Sequence, residues 1–145
     1  MRVLGIDYGR ARIGLALSDE DEVLASPLPL LRRTARPRRD IDRLASLVRR
    51  HGVGRIVVGL PLNMDGTRGE MAEEAEAFAE DLRRKTKLPV GLLDERLTTA
   101  EAERALIEGN VSRKRRKDLR DSLSAVLILQ ADLDRAAHQP PPMAP

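Results

Sequence analysis

Apolar and polar positions alternate along the chain in two rhythms. From Arg2 to Ile6 the residues Val3, Leu4 and Ile6 run with little polar interruption, as in a buried strand. Tyr8-Gly9-Arg10 reads as a turn, with Gly9 free to take positive φ. Ile13 to Leu17 is the returning strand of a hairpin, which leaves Asp7 where the first strand ends. Val23 to Leu31 is a looser third strand, and Pro27 and Pro29 assign it to a sheet edge.

The rhythm then lengthens. Pro37 to His51 carries Ile41, Leu44, Leu47 and Val48 on one stripe, with Gly52 as a stop, and predicts a helix. Arg55 to Leu60 is short and apolar, which suits a buried parallel strand. Glu70 to Lys85 predicts a charged helix with Met71, Ala75, Phe78 and Leu82 inward, and Pro89 to Asp94 another strand. Thr98 to Ile107 predicts a helix opened by a Thr98/Glu101 capping box. Gly109 to Lys117 reads as a polar, basic loop, and Asp118 to Ala137 as the last helix. The sum is a mixed sheet with helices on both faces, a single α/β domain over 1–137. The proline-rich tail 138–145 is expected to be disordered.

Composition sharpens this. A chain of 145 residues with 41% hydrophobic positions can build one real core. Tyr8 and Phe78 are its only aromatics, so the core is aliphatic and base stacking is a poor candidate for ligand binding. The absence of cysteine excludes disulfides, thiol catalysis and cysteine-built zinc sites. Asp7 interrupts the first apolar stretch, and no run approaches the ~18 apolar residues of a membrane span. A cytoplasmic protein without a membrane partner is therefore expected. The net charge is only +3, but its distribution is uneven. Arg32, Arg33, Arg36, Arg38, Arg39 and Arg43 form one basic cluster, and Arg113, Lys114, Arg115, Arg116 and Lys117 form another. Both suit a polyanion such as nucleic acid, although each is equally readable as a solvated loop.

Three acids stand out. Asp7 and the pair Asp94-Glu95 directly follow apolar strands, where open α/β sheets bind ligands. On helical spacing Asp121 sits with Ser124, Ala125 and Ile128, on the core side of an apolar helix. Each has a plain explanation: Asp7 caps a turn, Asp94 or Glu95 pairs with Arg96, and Asp121 serves the helix dipole. Together they suit a shared hard cation, Mg²⁺ or Mn²⁺. In phosphoryl chemistry two such ions activate the water and stabilise the leaving oxygen. The loop Leu60 to Arg68 leaves a buried strand, and its amides with Asn63, Thr67 and Arg68 are candidates for phosphate contacts.

The segments Gly5-Ile6-Asp7-Tyr8-Gly9, Arg12-Ile13-Gly14-Leu15-Ala16, Val58 to Thr67, Asp94-Glu95-Arg96-Leu97-Thr98-Thr99 and Asp121 to Gln130 occur in one order. In them the chain resembles the YqgF family, also called RuvX, from Val3 to about Leu133. Its members are regarded as Holliday junction resolvases and as nucleases for the precursor of 16S ribosomal RNA. The resemblance implies a ribonuclease H-like fold, with catalytic metal acids at Asp7, Glu95 and Asp121. It favours Glu95 over Asp94. Ser124 stands where the family usually has the first of two alanines, a departure that leaves Asp121 untouched. The implied substrate is structured RNA or branched DNA, and junction cleavage would favour a homodimer. The competing reading is a nucleic-acid-binding ribosome-assembly factor with little or no catalysis. A kinase or ATPase of related fold would need a second lobe, for which the chain is too short.

Overall fold

The computed structural model describes residues 1–98 and 113–138. Strands β1 (Arg2–Tyr8), β2 (Arg12–Ser18) and β3 (Ala25–Arg32) come first. Helix α1 (Pro37–His51), β4 (Val53–Leu60), α2 (Glu70–Thr86) and β5 (Val90–Asp94) follow. A single 3₁₀ turn, Glu95–Leu97, leads out of β5. Helices α3 (Arg113–Asp121) and α4 (Leu123–His138) close the described chain. The five strands form one sheet in the order β3-β2-β1-β4-β5. β1 pairs antiparallel with β2 and parallel with β4, so the sheet is mixed as expected. Proline-bearing β3 is at its edge, where missing N–H donors are tolerated.

Strand alternation divides the core in two. Leu4, Ile6, Ile13, Leu15, Ile56 and Val58 pack with Leu44, Val48, Phe78 and Leu82 of α1 and α2. Val3, Ala16, Val57 and Leu93 pack with Leu119, Val126, Ile128 and Leu129 of α3 and α4 on the other face. Helix α1 has the predicted bounds because Pro37 opens its first turn and Gly52, at φ 65°, closes it by donating to Arg49 and Val48 carbonyls.

Three expectations are corrected. The segment from Arg113 to Lys117 is helix, not loop, and the last helix is two segments meeting at Ser122. Ser122 is buried; its Oγ accepts from the Leu15 amide at 3.3 Å and donates to the Leu28 carbonyl at 2.9 Å. These bonds to β2 and β3 fix the junction of α3 and α4. Gly9 is also not a positive-φ residue; only Gly52 and Gly66 are, among the described glycines. A Cβ on Gly9 would stand 2.4 Å from the Arg12 carbonyl, so it is the closeness of the hairpin that requires glycine. The helix expected over Thr98–Ile107 falls largely outside the described residues, as does nearly all of the tail expected to be disordered.

Candidate functional site

Asp7 is near the carboxyl end of β1, on the face covered by α4. Its partner on β2 is Gly14. On β4, Gly59 is one residue past Val58, the partner of Ile6. Asp7 is thus flanked by two glycines, and the space their side chains would fill is used. A Cβ on Gly14 would lie 3.5 Å from Cβ of Asp7, and one on Gly59 only 2.6 Å from Oε1 of Glu95. Glu95 itself follows β5 directly and opens the 3₁₀ turn.

The two carboxyls meet over this gap and share a hydrogen bond. Burial raises the proton affinity of both. For Glu95, the nearby charge of Asp7 and their hydrogen bond add to burial and bring it to about 7. For Asp7 the same hydrogen bond opposes the rise that burial causes. Two half-buried acids side by side hold a proton near neutrality.

Asp94 has a different task. Both its oxygens accept from the Arg96 side chain, at 2.8–3.1 Å, and Oδ1 also accepts the Arg96 amide at 2.9 Å. The Arg96 guanidinium accordingly holds Asp94 below the usual carboxylate range. The pairing of Asp94 with Arg96, one of the plain explanations open from the sequence, is the one the structure adopts.

Asp121 does not face the core. It ends α3 with its side chain exposed, because the break at Ser122 takes it off the buried stripe of α4. It lines a cleft with Arg12, Arg32, Arg43 and Lys117. The Cα of Ser122, next in sequence, would nevertheless lie 3.7 Å from a Cβ on Gly14, directly opposite Asp7. Among the described residues, no three acidic or histidine side chains stand close enough to hold one ion in common.

A family model described as RuvX, Holliday junction resolvase, matches residues 1–135. The chain belongs to this family. A relative from Pelotomaculum thermopropionicum is 49% identical over 92% of this chain and 87% of its own. Another, from Halalkalibacterium halodurans, is 48% identical over 93% of this chain and 97% of its own. Both bear the provisional name pre-16S rRNA nuclease. Among solved structures, Thermus thermophilus RuvC in complex with a Holliday junction substrate superposes with a TM-score of 0.64 at 19% identity. The match covers 95% of this chain and 97% of that one, and establishes the ribonuclease H-like fold.

In this RuvX-family chain the loop after β4 is tied to itself. Nδ2 of Asn63 donates to Oγ1 of Thr67 at 2.9 Å, and Thr67 donates from both its amide and its hydroxyl to Asp65. Arg68 is paired with Glu76 of α2. The three side chains singled out for phosphate contacts therefore hold the loop's shape. The residue that joins this loop to the acidic turn is Arg96. Its Nη1 donates to the Met64 carbonyl at 3.4 Å, and its guanidinium lies against Gly66. Its position beside Asp94 hinted only at the ion pair.

The first arginine cluster also divides. Arg33 is turned inward: its Nη1 donates to the Tyr8 hydroxyl at 2.8 Å and the Gly9 carbonyl at 3.3 Å, and its Nε faces the buried Asp40 at 3.5 Å. These bonds tie it to the turn beyond Asp7. Of the second cluster, Arg116 and Lys117 are exposed on α3, while the side chains of Arg113, Lys114 and Arg115 lie outside the described ones. No helix among the described residues is long and apolar enough to cross a membrane.

Proposed function

We propose that this protein is a metal-dependent endonuclease that hydrolyses phosphodiester bonds in structured nucleic acid, with precursor 16S ribosomal RNA as its substrate. The observation that carries the reading is the Asp7–Glu95 pair: two half-buried carboxyls in contact at the carboxyl ends of β1 and β5. An all-oxygen set of this kind fits Mg²⁺ or Mn²⁺, which relieve the repulsion that otherwise retains a proton. Asp7 and Glu95 would hold the ions, and Asp121 would complete the set by turning toward Gly14 from its place beside Ser122. When bound, a pair of ions would activate the attacking water and stabilise the leaving oxygen.

The chain's own contribution is placement. Gly14 and Gly59 leave the room in which the acids meet. Asp94 holds Arg96, and Arg96 holds the loop after β4 against the acidic turn. The names of the relatives favour the ribosomal precursor; the family description adds branched DNA as a second substrate to try.

The test is single-turnover cleavage of a precursor RNA stem and of a four-way DNA junction, with Mg²⁺ or Mn²⁺. Wild type should cut the RNA. Asp7→Asn should bind it and leave it whole, since the ions serve the transition state. Binding without cleavage by wild type, under every metal condition, would make the protein an assembly factor.

A further inference from the structure

A cleft of about 510 Å³ is lined by Arg12, Arg32, Arg43, Lys117, Asp118 and Asp121, among others. Three elements and an edge strand build it. Arg12 opens β2, Arg32 ends β3, Arg43 reaches over from α1, and the other three come from α3. Four cations thus face two acids in one concavity.

The placement of the arginines is not explained by the fold. Arg12 and Arg32 are direct cross-strand partners. Like charges opposite one another in an antiparallel pair destabilise the sheet. Neither has an ion-pair partner among the described residues, and both are exposed. Arg43 adds to the crowding, for its Nη1 donates to the Arg32 carbonyl at 3.0 Å. It is itself the better compensated of the three, being 3.8 Å from Asp40. Cations gathered at some expense of stability, in a concave place, fit an anionic ligand.

The position gives that ligand a direction. Gly14, the partner of Asp7, is two residues along β2 from Arg12 and on the same face of the sheet. The cleft thus shares with Asp7 one face and one end of the β1–β2 hairpin, with Asp121 on its wall.

We infer that the Arg12–Arg32–Arg43–Lys117 cleft binds the phosphodiester backbone of the nucleic-acid substrate and leads it to Asp7 and Glu95. This rests on the nuclease reading for the identity of the anion. The chemistry is phosphate recognition, so RNA and DNA both supply it.

Binding in the absence of metal, with EDTA present, separates this cleft from the cleavage reaction. A labelled RNA stem-loop and a labelled four-way DNA junction are titrated at several salt concentrations. Arg12→Gln/Arg32→Gln should weaken binding to both and flatten the logarithmic salt slope by about two, near one per lost phosphate contact. Its melting temperature should hold or rise, since a repulsive pair is gone. Lys117→Gln, on a different element, should flatten the slope by about one more. Arg49→Gln/Arg50→Gln, in the last turn of α1 and outside the lining of the cleft, removes the same charge and should leave the slope near wild type. A double variant with the wild-type slope, or one no flatter than this control, overturns the cleft. So does wild type that binds neither probe. A protein that binds through the cleft but never cuts keeps the cleft and loses the nuclease.

Discussion

At Glu95 a carboxyl sits where water reaches it poorly, beside a second acid that would share its charge. Its proton affinity is raised from 4.5 to about 7. Between those values the folded protein holds a proton that the unfolded chain has released, so stability falls as pH rises through that window. The contribution is full below about pH 4.5 and gone above about pH 7. Glu95→Gln removes the charge and keeps the shape. In metal-free buffer at pH 8 it should melt above wild type by the equivalent of about 1 kcal/mol, solvent screening of a half-exposed group allowed for. At pH 4.5 the two should melt together. Thermal scans of both proteins across this range decide it; parallel curves would show that Glu95 carries no such charge penalty. Glu95 and Asp7 are legible in the sequence as candidates because each lies at or just past the end of an apolar strand, a signal that lies wholly in local order. The direction of Asp121 is not. Helical spacing assumes one unbroken helix, but the helix divides at Ser122, whose side chain bonds Leu15 and Leu28, more than ninety residues away in the chain.

The elements depend on missing side chains as much as on present ones. Helix α4 lies directly on β1 because Gly5 offers no Cβ; one there would stand 2.6 Å from Cβ of Leu129 and 3.1 Å from the Ala125 carbonyl. Both neighbours belong to a buried helix that cannot give way cheaply. Gly5→Ala should therefore destabilise the protein by about 1–3 kcal/mol, read from urea unfolding. An unchanged midpoint would mean that α4 slides freely on the sheet. Gly59→Ala meets Ile128 and Glu95 at the same time. Its cleavage rate should fall further than its affinity for metal-free nucleic acid, because the group displaced belongs to the acidic pair; equal losses in both would point to general damage. In the sequence these glycines are visible only as parts of motifs; their purpose depends on which helix crosses them. Helix α1, by contrast, was legible to its last residue, since Pro37, the apolar stripe and Gly52 are all local devices. The basic run from Arg113 to Lys117 misled for the opposite reason: charge without apolar spacing reads as loop, yet Leu119 and Ser122 anchor the helix from its far end.

In the whole molecule, the fold gathers acids and cations at one end of a sheet, and a divalent cation should couple to its stability. The carboxylates must release their shared proton before they hold a metal ion, so the gain from binding grows with pH. An ion at ten times its dissociation constant stabilises the folded state by about 1.4 kcal/mol. For a domain of this size that corresponds to a rise of roughly 2–8 °C in melting temperature. Millimolar Mg²⁺ or Mn²⁺ should produce such a rise at pH 8 and a smaller one at pH 6, where Glu95 largely keeps its proton. Asp7→Asn should abolish the response at both. Asp121→Asn should reduce it, because one carboxylate of the proposed set is gone while the pair remains. Scans with and without metal at the two pH values separate these outcomes. A wild-type rise that Asp7→Asn retains in full would place the bound ion elsewhere on the protein, for the Asp7–Glu95 pair could not then be what holds it.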